Sequence, residues 1–93
     1  MRDYWVYIMT NAGNNVLYTG VTNDLRRRVA EHQAGRGSAF TSRYKIHKLV
    51  FYERFVRIGD AIAAEKRIKA GSRAKKIKLI EDRNPVWNDL FAE

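Results

Sequence analysis

Residues 5–32 read WVYIMTNAGNNVLYTGVTNDLRRRVAEH, and the fold follows from this stretch. Two short runs rich in β-branched and aromatic residues, 5–9 and 16–20, are separated by asparagine and glycine. Runs of this kind predict two strands joined as a β-hairpin. Residues 24–32 then follow as a helix, and Gly35 is suited to end it because glycine tolerates the left-handed backbone found after many helices. The stretch therefore predicts a strand–strand–helix unit.

This stretch also carries two short signatures, residues 5–7 (WVY) and 18–20 (YTG), followed by Arg28 on the predicted helix. These residues resemble the GIY-YIG nuclease superfamily, and Glu65 with an asparagine near the C-terminus extends the resemblance over nearly the whole chain. Within that superfamily, the chain is similar to small stand-alone bacterial proteins that are little more than the bare domain. It departs from the usual signatures by a tryptophan in place of glycine and a threonine in place of an aliphatic residue. Both departures keep the tyrosines.

The length of 93 residues is enough for one small core, so we expect residues 1–93 to form a single GIY-YIG-like domain. The sequence contains no cysteine, which excludes a disulfide framework and a thiolate zinc site. No apolar run approaches the roughly 20 residues of a membrane-spanning helix, and the first residues show no secretory pattern. We therefore expect a cytoplasmic protein that does not enter a membrane.

The chain is strongly basic, since 18 Lys and Arg against 10 Asp and Glu give a formal net charge of +8. Such an excess favours polyanionic partners through counterion release, and nucleic acid is the leading candidate. The segment 66–78 holds many of the cations, and we expect it to follow a nucleic-acid backbone unless it is merely a pair of solvated helix faces. The contact residues predicted there are Lys66, Lys69, Arg73, Lys75, Lys76 and Lys78. No aromatic residue is interleaved with them, so this segment does not indicate base stacking.

The rest of the chain predicts one more strand and two more helices. Residues 49–55 have the composition of a strand. Residues 58–70 and 73–82 predict helices, separated at Gly71, and the second ends before proline because the preceding residue disfavours helical backbone. The apolar residues that follow are expected to fold back onto the core. The predicted fold class is α+β, with a small three-stranded, mostly antiparallel sheet flanked by helices.

Residues 35–47 show neither helical nor strand periodicity, and they predict a surface loop. Phe40 and Tyr44 are expected to order this loop. Arg43 and Lys45 could then contact phosphates of a nucleic acid. The alternative is an ordinary connection that two aromatic residues hold in place. The stand-alone relatives carry a similar Phe-Thr-x-Arg-Tyr segment, which favours a functional role.

Helix geometry separates the residues of the first helix into two groups. At about 100° per residue, Leu25 and Val29 define the buried stripe. Arg28 lies roughly 60° from Leu25 and His32 lies closer still, so both should flank the face that meets the sheet. An arginine at such a margin needs an anionic partner, either a structural carboxylate or the phosphate of a ligand. His32 could equally be a satisfied margin histidine or part of the site.

Glu65 is placed by the predicted third helix between Ile62 and Ile68, within an apolar stripe. A lone inward carboxylate is costly unless it is paired or binds a metal. A salt bridge with Arg28 is the simpler explanation. The resemblance implies instead that Glu65 is the metal ligand of the family, holding one Mg²⁺ or Mn²⁺ ion together with waters and substrate phosphate.

The remaining catalytic residues rest on the resemblance. Tyr7 and Tyr18 on neighbouring strands would ordinarily be an aromatic pair, whereas the resemblance implies that a tyrosine deprotonates the attacking water. A free phenol with a pKa near ~10 is a poor base at neutral pH, so a neighbouring group must lower that pKa or relay the proton. We favour Tyr7 as the base. For the C-terminal asparagine of the family we favour Asn84 over Asn88.

The sequence thus predicts metal-dependent endonuclease-type hydrolysis of a phosphodiester, with DNA favoured over RNA. Tyr7, Tyr18, Arg28 and Glu65 are expected to converge on one concave face, and Arg28 to stabilise the negative charge of the phosphorane. Two alternatives stay open at this point. One is a nucleic-acid-binding module that has lost catalysis, and the other is a nuclease subunit whose specificity comes from a protein partner.

Overall fold

The computed structural model describes residues 3–91 as a three-stranded sheet with four helices, which confirms the predicted α+β class. In chain order the elements are β1 (Tyr4–Thr10), β2 (Leu17–Thr22), α1 (Leu25–Gln33), α2 (Ala39–Arg43), β3 (Lys48–Phe55), α3 (Ile58–Ala70) and α4 (Arg73–Arg83). Residues 1, 2, 92 and 93 of the predicted domain lie outside the described residues. Over the described range, the helices are too short or too polar to span a bilayer.

The central strand is β1, which pairs antiparallel with β2 on one side and β3 on the other. Its residues 6–10 are all buried, because helices cover both faces of the sheet. A strand covered on both faces is apolar throughout instead of alternating between apolar and polar residues. This explains why the run VYIM stands at the centre of the fold.

The core has two layers, one on each face of the sheet. The layer under α1 consists of Tyr7, Met9, Val29, Ile46 and Leu49. The layer under α3 and α4 consists of Val6, Ile8, Val50, Phe51, Ala61, Ala64 and Ile80. Burial of apolar side chains contributes roughly 1.5–3 kcal/mol for each fully buried large residue, so these two layers supply most of the driving force for folding.

An irregularity in the pairing of β1 with β3 lets neighbouring residues of β3 enter different core layers. Met9 pairs with Leu49 and Ile8 pairs with Phe51, which leaves Val50 as an extra residue. Strict alternation along β3 would place Leu49 and Phe51 on the same face. A β-bulge removes that alternation, and here it turns Leu49 toward α1 while Val50 and Phe51 pack toward α4.

The ends of α1 follow from local chemistry. The side chain of Asp24 accepts a hydrogen bond from the backbone N–H of Arg27 at 3.1 Å, which caps the N-terminus. Gly35 has φ of +77°, and its N–H donates to the carbonyl oxygen of His32 at 3.1 Å. The prediction that Gly35 ends this helix is consistent with that left-handed backbone.

The prediction that residues 35–47 lack regular structure is wrong, because they contain α2, a helix of five residues. Ser38 caps it by accepting from the N–H of Thr41 at 3.1 Å. Phe40 and Tyr44 are both exposed, whereas Thr41 and Ile46 are the buried residues of this segment. A single short turn of helix has too few residues to show a period, which explains why the pattern did not indicate it.

The C-terminal residues fold back onto the sheet as predicted. Leu90 packs against the layer under α1, and its N–H donates to the carbonyl oxygen of Leu49 at 2.8 Å. Asn84 anchors this return. Its side-chain amide nitrogen donates to the carbonyl oxygens of Val50 at 3.1 Å and Asn88 at 2.9 Å, and its oxygen accepts from the N–H of Asn88 at 2.9 Å.

We expect Asn84→Ala to lower the free energy of unfolding by about 2–3 kcal/mol, because it leaves buried backbone groups without partners. Urea unfolding at neutral pH measures this change. Asn88→Ala is the matched control, since Asn88 uses only its backbone in these bonds, and it should change the free energy by no more than about 0.5 kcal/mol. Equal stability of the two variants would contradict a structural role for the Asn84 amide.

Candidate active site

Tyr7 is the side chain around which the candidate site forms. It is buried on β1, and its hydroxyl lies 3.0 Å from Nε2 of His32 on α1. The ring crosses Gly20, its partner on β2, so closely that a Cβ atom at Gly20 would lie 2.5 Å from the tyrosine oxygen. The glycine of the YTG signature therefore has a steric reason, because any side chain there would displace Tyr7.

His32 is fully buried and is held from both sides. Its Nδ1 lies 2.9 Å from the hydroxyl of Thr41, which in turn donates to the carbonyl oxygen of Ser38 at 3.3 Å. The Thr41 hydroxyl also lies 3.0 Å from Oγ of Ser38, so Ser38 offers its proton two acceptors. We assign that proton to Ser38, so that the hydroxyl accepts from Nδ1–H and Nε2 accepts from Tyr7. Gly37 closes the site, since a Cβ atom there would overlap the imidazole ring. The three side chains form one directed series of hydrogen bonds.

The pKa values of this pair move in opposite directions. Burial lowers the pKa of His32 to about 4, and the positive charge of Arg28 acts in the same direction. Burial likewise raises the pKa of Tyr7 to about 12, helped by Tyr18 and Glu65 and opposed by Arg28. At neutral pH the imidazole is therefore neutral and the phenol protonated, as the direction of the hydrogen bond requires.

Arg28 lies half-buried beside this series, on the flank that helix geometry predicted. Its guanidinium donates to Oε1 of Glu31 at 3.0 Å and to the carbonyl oxygen of Gly37 at 2.9 Å. Burial acts to lower the pKa of Arg28, but the hydrogen bond with Glu31 and the nearby Tyr7 and Tyr18 outweigh it and raise the pKa overall. The anionic partner is thus Glu31, three residues along the same helix. The sequence signal for this pair was the i, i+3 spacing of opposite charges.

Tyr18 extends the site toward solvent. Its ring centroid lies 6.3 Å from that of Tyr7, 5.2 Å from that of His32 and 6.2 Å from that of Phe40. It is diagonal to Tyr7, because the residue directly opposite Tyr7 on β2 is Gly20. Tyr18 therefore covers the hydrogen-bonded pair with an aromatic ring that is itself half-buried.

Glu65 approaches from the other face of the sheet, which differs from the expected convergence on a single face. Tyr7, Tyr18, Arg28 and His32 share the face under α1, whereas α3 packs against Val6 on the opposite face. Because α3 contacts β2, the edge strand over which the Tyr7 ring extends, the Glu65 charge still acts on Tyr7 and raises its pKa. The candidate site is therefore built around the β2 edge of the sheet.

The buried stripe of α3 also differs from the prediction. It consists of Ala61 and Ala64 with the half-buried Ile68, while Ile62 is 36% exposed. Glu65 lies at the margin of that stripe, with 17% of its side chain exposed, and pairs with Lys69 at 3.4 Å. Its partner is a neighbour on the same helix, and in place of the alternative Glu65–Arg28 bridge the structure has two local pairs.

The metal-binding capacity of the site rests on one carboxylate. Among the side chains of residues 3–91, no cluster of three or more His, Asp or Glu is placed to hold an ion. Mg²⁺ dehydrates reluctantly and is often held by one or two carboxylates plus waters and phosphate oxygens. Glu65 at the stripe margin fits that role, because its one partner is an exposed lysine that a cation could displace.

Asn84 is not brought to Tyr7 and His32 but is committed to the C-terminal return. All its side-chain polar atoms bond to the backbone of Val50 and Asn88. Its predicted catalytic role therefore has no support in the geometry, and the asparagine stabilises the fold. Its position before proline did not indicate this structural role, because a sequence pattern does not distinguish a buried amide that bonds to the backbone from a catalytic one.

The predicted nucleic-acid contacts lie on two surfaces. On α3 and α4 the exposed cations are Lys66, Lys69, Arg73, Lys75 and Lys78, with Lys76 half-buried among them. Lys78 pairs with Asp82 at 3.2 Å in an exposed i, i+4 pair of the kind that contributes little to stability. Lys69 pairs with Glu65 at 3.4 Å, and of these two side chains only the lysine is exposed. Arg43 and Lys45 are exposed beside α2. Both surfaces are accessible to a polyanion.

The pKa of His32 predicts a pH dependence of stability. The folded protein holds this imidazole neutral down to about pH 4, whereas the unfolded chain takes up a proton near its ordinary pKa of ~6.5. The stabilisation is complete above pH ~6.5 and is lost as the pH falls to about 4, for a total of about 3 kcal/mol.

Urea unfolding between pH 7.5 and 4 should therefore show a steep loss of stability in the wild-type protein and a shallower one in His32→Gln. His47→Gln, which removes the exposed histidine, is the control and should keep the wild-type slope. The comparison concerns slopes, so a general loss of stability in His32→Gln does not affect it. Parallel slopes for all three proteins would contradict the burial of a neutral His32.

Similarity to known proteins places the chain in a family. Residues 3–78 match the GIY-YIG catalytic domain. A UPF0213 protein of Natronomonas pharaonis is 44% identical over 80 residues, covering 86% of this chain and 93% of that protein. One of Staphylococcus haemolyticus is 39% identical over 83 residues, covering 89% and 100%. The solution NMR structure of a UPF0213 protein from Bacillus halodurans superposes with a TM-score of 0.61 at 29% identity, over 94% of this chain and 92% of that one. This chain belongs to the GIY-YIG catalytic domain family.

Proposed function

We propose that this protein hydrolyses phosphodiester bonds of nucleic acid, with DNA as the preferred substrate and one Mg²⁺ or Mn²⁺ ion as cofactor. The observation that most supports this proposal is the directed series from Tyr7 through His32 to Thr41, with Arg28 beside it. Buried polar groups of this kind are costly to maintain in so small a domain unless they are used. Membership of a nuclease family supports the same conclusion.

The tyrosine that we propose as the base is Tyr7, because its hydroxyl has an acceptor in His32. The phenol cannot act alone. Its pKa is about 12 and that of the imidazole is about 4, so a complete transfer of the phenol proton to His32 would cost on the order of 10 kcal/mol. The proton of the attacking water would pass to the Tyr7 oxygen as the phenol proton passes to Nε2, and the negative charge of a phosphate bound beside Arg28 would have to raise the pKa of His32 so that the imidazole can hold that proton. Thr41 holds the imidazole in the tautomer that accepts it.

Two charged side chains near this series would bind the phosphate and the divalent ion. Arg28 is charged and has exposed area beside the series, so it can bind the phosphate and stabilise negative charge that grows during the reaction. Glu65 would hold the divalent ion, and when bound that ion supplies Lewis-acid charge for water and phosphate. The local partners Glu31 and Lys69 keep both side chains extended until substrate and ion compete for them.

We expect Glu65→Gln to abolish metal-dependent cleavage while leaving nucleic-acid binding unchanged or tighter, because it removes a negative charge near phosphate and keeps the side-chain volume. The measurement is a cleavage assay on a panel of structured DNAs and RNAs with Mg²⁺, Mn²⁺ or EDTA, next to a binding assay in EDTA. Asp60→Asn, which neutralises an exposed acid in the first turn of the same helix, is the matched control and should cleave normally.

One result would contradict the catalytic proposal directly. If the wild-type protein binds nucleic acid but cleaves nothing with either ion, and Glu65→Gln behaves identically, the protein is a binding module on a nuclease fold. Glu65 would then serve only as the helix partner of Lys69.

Binding should also depend steeply on salt. Each phosphate contact contributes about 0.9 to the slope of log K against log salt on duplex DNA, so Arg73→Ala combined with Lys75→Ala should reduce the slope by nearly 2 if both residues contact phosphates. Fluorescence anisotropy at roughly 50 to 300 mM KCl, where binding through phosphate contacts changes strongly with salt, measures this slope. Arg54→Ala, which removes a cation paired with Asp3 at 3.0 Å, is the control. An unchanged slope in the double variant would mean that these cations face bulk solvent.

A further inference from the structure

Two largely exposed aromatic rings lie on the helix α2 and at its C-terminal end. Phe40 is 44% exposed and Tyr44 is 42% exposed. The segment is anchored by other residues, since Thr41 and Ile46 are fully buried and the N–H of Ile46 donates to the carbonyl oxygen of Thr41 at 2.9 Å. Scattered exposed apolar residues are ordinary, but two adjoining aromatic rings held on an anchored helix form a defined surface.

These rings continue the candidate site outward. Tyr18 and Phe40 stack with centroids 6.2 Å apart and planes inclined by 30°, and Phe40 and Tyr44 are 4.9 Å apart. The guanidinium of Arg43 lies 5.5 Å from the centre of the Tyr44 ring. An unbroken aromatic row therefore runs from Tyr18, beside Tyr7 and His32, to a cation at the surface.

We propose that α2 is a stacking surface for unpaired nucleobases of the strand that is cleaved. This inference rests on the proposed function, and it specifies the substrate as nucleic acid that is unpaired next to the reacting bond. Exposed rings bind the faces of bases, and a base offers its face only where it is not already stacked within a duplex. Arg43 and the neighbouring Lys45 supply the charge that the backbone of the same strand requires.

The charge of the surface decides between possible occupants. An aromatic surface could also receive an apolar protein segment, but α2 and its flanks bear Arg36, Arg43 and Lys45 with no acidic residue between positions 32 and 52. In a chain of net charge +8 such a surface complements a polyanion. The cations of α3 and α4 lack interleaved aromatic residues, so they suit backbone contacts, whereas α2 combines both requirements.

The test measures binding in EDTA, so that it does not depend on cleavage. The probes are fluorescent oligo-dT and oligo-U, which carry unpaired bases, and a DNA hairpin closed by a non-nucleotide linker, which has the same number of phosphates and only paired bases. We expect Tyr44→Ala and Phe40→Ala each to weaken binding to oligo-dT, oligo-U or both by about 5- to 150-fold, the range for loss of a base–aromatic stack, and to change hairpin binding by less than about threefold.

Two further variants keep the test decisive. Tyr52→Ala removes a tyrosine that is also 42% exposed but packs on Trp5, and it should bind all probes like the wild type. Phe40→Tyr keeps a ring and should retain single-strand binding, so it separates stacking from any effect of Phe40→Ala on folding. Equal weakening on hairpin and single strands, or no weakening in Tyr44→Ala, would overturn the proposal. Absence of cleavage by the wild-type protein would count against the proposed function and leave this binding result standing.

Discussion

The hydrogen bond between Tyr7 and His32 is the interaction on which the site depends, because it joins the central strand to the first helix inside the core. Gly20 is required so that the tyrosine ring can cross β2, and Gly37 so that the backbone can close over the imidazole. Thr41 satisfies the second imidazole nitrogen and thereby fixes α2 against α1. Three segments that are distant in sequence are thus ordered by one buried polar series.

Elementary patterns predicted much of this arrangement. The β-hairpin, the third strand and the helices over residues 58–70 and 73–82 follow from periodicity and turn residues, and the structure has them within one or two residues. The angular position of Arg28 and His32 on α1 was correct because helix geometry leaves few choices once Leu25 and Val29 mark the inner face. The resemblance supplied the chemical roles, which geometry alone could not.

The remaining features depend on single contacts that leave no periodic signal. The bulge that turns Leu49 toward α1 arises from the way in which β1 and β3 pair, so it cannot be predicted from the sequence of either strand alone. The helix α2 is too short to show a period, and it is anchored by the bond of Thr41 to His32, so its aromatic residues remain outside. Asn84 was predicted to be catalytic from its residue type and its place near the C-terminus, but its side chain bonds to backbone groups that hold the C-terminal return. Glu65 was placed in the middle of the apolar stripe because Ile62 was assumed to be buried, whereas Ile62 is exposed and Glu65 lies at the margin of that stripe.

The separation of Arg28 and Glu65 by the edge of the sheet has a consequence for the chemistry. Two opposite charges on one face of so small a site would neutralise each other in a direct salt bridge, and a phosphate and a cation would then have to break it. Here each charge has its own partner on its own helix, Glu31 for Arg28 and Lys69 for Glu65. Such partly exposed pairs contribute only about 0–1 kcal/mol and are readily exchanged. Both side chains can therefore exchange their partners independently, as the proposed binding of phosphate by Arg28 and of a divalent ion by Glu65 requires.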